Sequence, residues 1–152
     1  MTERIYYEHA YQTECESMVI ECGQRNGYPA LQLNRTVFYP TSGGQPNDTG
    51  QIASEAVVDV IVGDDGNVWH LLTENASIPT VGQTVDCIID WDRRYDHMQQ
   101  HTGQHLISQV FYQLLGYETV SVHFGETEST LDLEVPTIEF AQLDEADEEL
   151  CL

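Results

Sequence analysis

The sequence predicts an α+β fold: a small N-terminal β-barrel over residues 1–91, then an α+β unit over residues 92–152. Three observations carry this. The first ninety residues hold six short segments rich in Val, Ile, Tyr and Phe, separated by turn-formers. From Arg93 to Gly116 there is no proline, and apolar residues recur at helical spacing. Two further strand candidates follow that helix.

The six segments are IYYEHAY, SMVIECGQ, ALQLNRTVFY, AVVDVIV, NVWHLLT and TVDCIIDW. Asn26-Gly27 between the second and third has the composition of a tight hairpin turn, because both residues tolerate positive φ. Gly63–Asn67 reads as a longer turn and Pro79–Gly82 as a third. At Asp92, an N-cap candidate, the character changes to helix. Leu106, Ile107, Val110, Phe111, Leu114 and Leu115 form one stripe, expected to pack a core, and Gly116 is the expected C-terminal cap. TVSVHFG and STLDLEV then read as strands separated by Glu126 and Thr127, with Pro136 ending the second. The tail FAQLDEADEELCL reads as the start of another helix.

Composition narrows the function classes. No apolar run reaches the length of about 18 residues needed to span a bilayer, and MTERIYYEHAYQTE has no basic-then-apolar signal. Cys15, Cys22, Cys87 and Cys151 show no C-x-x-C spacing, which fits reduced thiols and a cytoplasmic location. The net charge of −21 comes from 26 acidic residues against five arginines and no lysine. Such a chain repels phosphate backbones at long range, so any nucleic-acid role needs a local Arg cluster or basic surface from elsewhere. Arg93–Arg94 is the one adjacent cationic pair. Neither DNA nor a membrane is an expected partner.

Two stretches carry chemistry. HTGQH places His101 and His105 four apart, with His97 one turn earlier. At about 100° per residue, His101 and His105 fall more than a right angle from the centre of the apolar stripe, so they do not belong to its core-facing side. Imidazoles at i and i+4 can reach one ion, most often zinc, although this spacing alone also suits a solvated polar face. Thr102 stands where a zinc protease of the H-E-x-x-H type has its general base, which argues against that chemistry. The second stretch, FYPTSGGQPNDTG, breaks the strand pattern with two prolines and three glycines. Its backbone can approach a ligand closely and offer N–H groups to an oxyanion; an ordinary long connection is the plainer alternative.

LNRTVFYPTSGGQPNDTG (33–50), DRRYDHMQQHTGQHLIS (92–108) and VHFGETESTLDLEVP (122–136), in this order and over nearly the whole chain, resemble the editing domain of alanyl-tRNA synthetase and the free-standing AlaX-type editing proteins. The resemblance implies the threonyl/alanyl-tRNA synthetase editing fold and zinc-dependent hydrolysis of mischarged Ser- or Gly-tRNA(Ala). It implies the tRNA(Ala) 3′ end as partner, His101 and His105 as zinc ligands, and His97 as a neighbour of the site. It also places Gly43, Gly44 and Gln45 beside the terminal adenosine and its ester, and Thr36 against the serine hydroxyl. His123, which by strand alternation shares a face with Thr119 and Ser121, is a further candidate for the substrate site.

This sequence departs from the family pattern in two places. Ser42 stands where many members have a third glycine, and no Cys and His four apart supply the family's C-x-x-x-H ligands. Two zinc ligands are therefore expected outside this chain, through truncation, another chain or loss of the site, and the apparent ending inside a helix favours truncation. The helix histidines are expected to face the glycine loop across a cleft between the two units. The rival readings are a non-catalytic tRNA- or synthetase-binding module, and a zinc-free hydrolase using Cys87. Homo-oligomerisation stays open.

Overall fold

Most of the first ninety residues build an antiparallel sheet that closes on itself, from strands that alternate buried and exposed residues, as in Thr84–Ile89, and strands buried throughout, as in Val68–Leu72. The computed structural model describes residues 2–125 and 128–150. The expected separator Glu126–Thr127 and Cys151 lie outside the described residues. The strands are β1 (Glu3–Arg4), β2 (Glu14–Arg25), β3 (Tyr28–Leu33), β4 (Arg35–Thr36), β5 (Gly50–Ile52), β6 (Glu55–Val62), β7 (Val68–Leu72) and β8 (Thr84–Ile89). After them come helix α1 (Trp91–Leu115), strands β9 (Thr119–Phe124) and β10 (Ser129–Leu133), and helix α2 (Phe140–Leu150). The chain divides into two compact units, Met1–Ser42 with Pro46–Arg94, and Gly43–Gln45 with Tyr95–Leu152. The division falls three residues after the expected one, and the glycine turn sorts with the later residues.

In the first unit the ladder runs β2-β3-β7-β6-β5-β8 and returns to β2. Val19, Leu31, Leu33, Phe38, Ile52, Val60, Leu72, Val85 and Cys87 fill its interior. Closure removes the unpaired backbone rows that an open sheet would expose. The β2–β3 hairpin turns at Asn26 and Gly27, both at positive φ (53° and 85°), as the dipeptide predicts. Gly63–Asn67 turns β6 into β7 through the Gly63 N–H to Asn67 C=O bond at 2.9 Å. The Arg25 guanidinium lies over the Trp69 ring, 3.7 Å from its centroid.

Three expectations need correction here. IYYEHAY is not a strand: Ile5–Tyr7 is a 3-10 turn that buries Ile5 and Tyr6 in succession, which a strand with one buried face cannot do. The ring takes β5 instead, three residues held by pairing to both β6 and β8. The helix cap is Asp90 rather than Asp92, because Asp90 Oδ1 accepts the Arg93 N–H at 3.3 Å.

In the second unit β9 and β10 form a two-stranded antiparallel sheet, and α1 ends at Gly116, φ 71°. The apolar stripe of α1 does not pack as expected. Phe111 is buried, but Leu106 is 59% exposed, and Ile107 and Leu114 are exposed as well. Two strands and one short helix offer too little surface to cover a stripe of that length.

Candidate functional site

Within the second unit, successive turns of α1 carry His101 and His105 on one face. Their Nε2 atoms lie 3.0 Å apart, with ring centroids 4.8 Å apart and planes inclined by 33°. Two imidazole nitrogens on a tetrahedral zinc, each at about 2.0–2.1 Å, would stand about 3.3 Å from one another. The pair therefore fits as half of a zinc ligand set with a shift of a few tenths of an ångström. Among the described residues, no group of three or more His, Cys, Asp or Glu side chains is gathered as a metal site.

Behind His101 the glycine turn supplies a partner. The Gln45 side chain is 6% exposed, and its Oε1 lies 3.1 Å from His101 Nδ1. The turn is held against β9. Gly44 C=O accepts the Phe124 N–H at 3.2 Å, and a Cβ on Gly44 would stand 2.2 Å from the Val122 carbonyl oxygen. Gly44 (φ 83°) and Gly43 (φ 58°) are both left-handed, a backbone that glycine adopts far more readily than most residues. Glycine is thus required at 44 by close approach as well as by φ. At 43 only φ demands it, since nothing lies within 4 Å of a Cβ built there.

Phe124 stacks on the His101 ring, centroids 5.9 Å apart and planes 28° apart. A cavity of about 240 Å³ lies beside it, lined by Gln100, Gly103, Gln104 and Ile107 of α1 and by Val122 and Phe124 of β9. The strand face turned to the histidine helix therefore carries Val122 and Phe124. His123 projects from the opposite face and is exposed. Ser121 shares that face with His123, but the register shift beside Leu133 breaks the expected alternation and puts Thr119 on the helix side, where its hydroxyl donates to Ser108 of α1 at 2.9 Å.

Thr36, expected against the serine hydroxyl of the substrate, belongs to the first unit. It is fully buried, its hydroxyl lies 2.8 Å from His70 Nε2, and it accepts the Phe38 N–H at 3.0 Å. The Leu31 carbonyl is 3.3 Å from His70 Nδ1, so the ring donates there and Nε2 accepts the Thr36 O–H. A hydroxyl so engaged has no donor left for a ligand. Burial holds the His70 imidazole down to about pKa 4, against the ordinary 6.5, so the ring is neutral.

Sequence reasoning missed the ion pair of Asp48 with Arg94. Both are buried, and Arg94 Nε lies 2.9 and 3.1 Å from the two carboxylate oxygens, with Nη2 also bonded to Oδ2. Arg94 donates further to Ala10 C=O and Val37 C=O, and the Tyr39 N–H donates to Asp48 at 2.6 Å. The aspartate of QPNDTG thus fixes its own loop. The signal available was the acid in a loop together with an arginine early in a helix, 46 residues apart.

The family profile described as tRNA synthetases class II (A) matches residues 5–93. The alanyl-tRNA editing protein AlaX-M of Pyrococcus horikoshii is 44% identical over 116 residues, 76% of this chain and 51% of that protein. AlaX-L of the same organism is 35% identical over 122 residues, 78% of this chain and 30% of that protein. The alanyl-tRNA editing protein Aarsd1 of Danio rerio is 33% identical over 146 residues, 88% of this chain and 34% of that protein. The chain spans about half, or less, of the length of these relatives.

Proposed function

This chain belongs to the class II (A) tRNA synthetase family as an AlaX-type relative, and we propose from that premise that it serves alanyl-tRNA editing, as a zinc-dependent deacylase of Ser- or Gly-tRNA(Ala). The observation that carries the reading is the 3.0 Å approach of His101 Nε2 and His105 Nε2, with Gln45 engaging the far nitrogen of His101. A solvated polar face has no need of facing ring nitrogens braced from behind. Editing answers a physical problem: a pocket sized for alanine cannot exclude glycine, and rejects serine poorly.

His101 and His105 would hold zinc through Nε2, with the remaining ligands coming from outside the described residues. A zinc bound there supplies Lewis acidity toward the ester carbonyl or a more acidic water. At Gly43, where nothing lies within 4 Å of a Cβ position, an ester has room to approach the backbone, and the amides of the turn are assigned to the developing oxyanion. Phe124 covers one side of the His101 ring. Thr36 is not assigned to the substrate, because its hydroxyl is engaged with His70. The partner is the tRNA(Ala) 3′ end.

A second reading, a binding module without chemistry, draws on the absence of a third ligand group among the described residues. One experiment separates the two. Ser-tRNA(Ala) and Gly-tRNA(Ala) are incubated with the protein and zinc, and ester hydrolysis is followed. The expected result is hydrolysis that His101→Ala abolishes. Ester left intact by protein carrying bound zinc would refute the deacylase.

A further inference from the structure

The geometry points to a role for Gln45 that differs from substrate contact: we propose that Gln45 is a positioning residue that fixes the tautomer of His101 and so aims its Nε2 lone pair at the metal. The proposal rests on the reading of His101 and His105 as metal ligands.

The argument starts from the inventory of each group. A neutral imidazole carries one N–H, and the nitrogen without it is the only one that can bind a metal. His101 has Nε2 facing His105 and Nδ1 facing Gln45 Oε1 at 3.1 Å. An amide oxygen can only accept, so Nδ1 must carry the proton and Nε2 is left with its lone pair. His105 then donates from Nε2–H to His101 Nε2 in the metal-free chain, and the network closes with every proton placed. Turning the amide so that its NH₂ faces Nδ1 would force the proton onto His101 Nε2, toward the metal position, and block ligation. The arrangement found is the one that metal-binding histidines elsewhere obtain from a carbonyl or carboxylate behind the ring.

Three further contacts make the device rigid. Gln45 is 6% exposed, so water competes little for its oxygen. Gly44, the residue before it, is held to β9 by the Phe124 N–H and lies so close to Val122 that no side chain fits. Phe124 stacks on the ring itself and restrains its rotation. The glycine turn is therefore a bracket that delivers one amide oxygen to one ring nitrogen.

The test uses the metal-free chain labelled with ¹⁵N at histidine, observed by long-range ¹H–¹⁵N correlation at pH 8, where unperturbed imidazoles are neutral. His101 is identified by its absence in His101→Asn. The expected result is the Nδ1–H form for His101, against the Nε2–H form that free neutral histidine favours and that the exposed His9 should show. Gln45→Leu is expected to move His101 to the Nε2–H form and to weaken Zn²⁺ binding about 10- to 100-fold in chelator competition. Gln45→Glu, which keeps an acceptor oxygen, is expected to restore both. His101 found as Nε2–H in the wild-type chain overturns the proposal with no variant needed. So does a Gln45→Leu chain that keeps the Nδ1–H form and wild-type zinc affinity. If the tautomer is as expected but excess Zn²⁺ leaves the ring nitrogens of His101 and His105 unshifted in the wild-type chain, the metal reading fails while the assignment of the proton to Nδ1 stands.

Discussion

Replacing His70 by glutamine should remove a specific part of the acid sensitivity of this protein. His70 lies fully buried between Thr36 and the Leu31 carbonyl, and its pKa is held at about 4. In the unfolded chain it returns to an ordinary 6.5. Because the folded value is the lower one, the unfolded state takes up the proton first as pH falls. The stability tied to a neutral His70 is thus complete above about pH 6.5 and is lost as pH drops toward 4. Within that window the slope is about 1.4 kcal/mol per pH unit, which amounts to about 2 kcal/mol at pH 5 and about 3 kcal/mol at pH 4. Urea unfolding, followed through the fluorescence of buried Trp69, would be measured at pH 8 and pH 5 for both proteins. His70→Gln will cost stability at pH 8, since the exchange disturbs Thr36. The decisive quantity is the change between the two pH values. Wild type should lose about 2 kcal/mol more than the variant over that interval. The carboxylates of the chain titrate in both proteins and cancel. Equal losses, within about 0.5 kcal/mol, would mean that His70 is charged in the fold or titrates normally, and the reasoning would fail.

Asp48→Asn should destabilise the first unit by about 3–5 kcal/mol, because it leaves the buried Arg94 guanidinium without its counter-charge; urea unfolding at pH 7 measures this, and a loss below about 1 kcal/mol would contradict the packing. Gly44→Ala should cost more than the roughly 1–2 kcal/mol of a left-handed alanine, since its methyl meets the Val122 carbonyl, whereas Gly43→Ala should cost only that backbone strain. Equal melting temperatures for the two variants would count against the close approach at Gly44. The hydrogen bond from Cys87 lowers the Cys15 thiol, while burial raises Cys22. Iodoacetamide at neutral pH should therefore modify Cys15 before Cys22, as read by peptide mass spectrometry, and Cys87→Ala, which removes the donor, should weaken the preference.

What the sequence revealed and what it hid divide along a physical line. The turns at Asn26-Gly27 and Gly63–Asn67 were legible because their geometry is set by the residues within them. So were the long helix and the two strands after it, which repeat their pattern over enough residues to define a period. β5 was not, because three residues have no period and hold only through the two strands they pair with. The aromatic-rich start resembled a strand, yet burying Ile5 and Tyr6 side by side selected a 3-10 turn. In the site, the histidine spacing showed that the rings share one face, and the structure adds how near their nitrogens come. The face of β9 that meets them, the one carrying Phe124 rather than His123, depends on tertiary packing that alternation cannot choose. Asp48 and Arg94 are invisible as a pair for the same reason.

The burial of Arg94 changes how this protein should respond to ionic strength. One of its five positive charges is sealed inside with Asp48, which leaves four arginines against the 25 other carboxylates. Most RNA-binding proteins lose affinity as added salt takes away the gain from freed counterions. Here the dominant long-range force toward an RNA is repulsion, which electrolyte screens within about 10 Å at 0.1 M. Encounters with a tRNA end should accordingly become more frequent, not rarer, as salt rises from low to moderate concentrations.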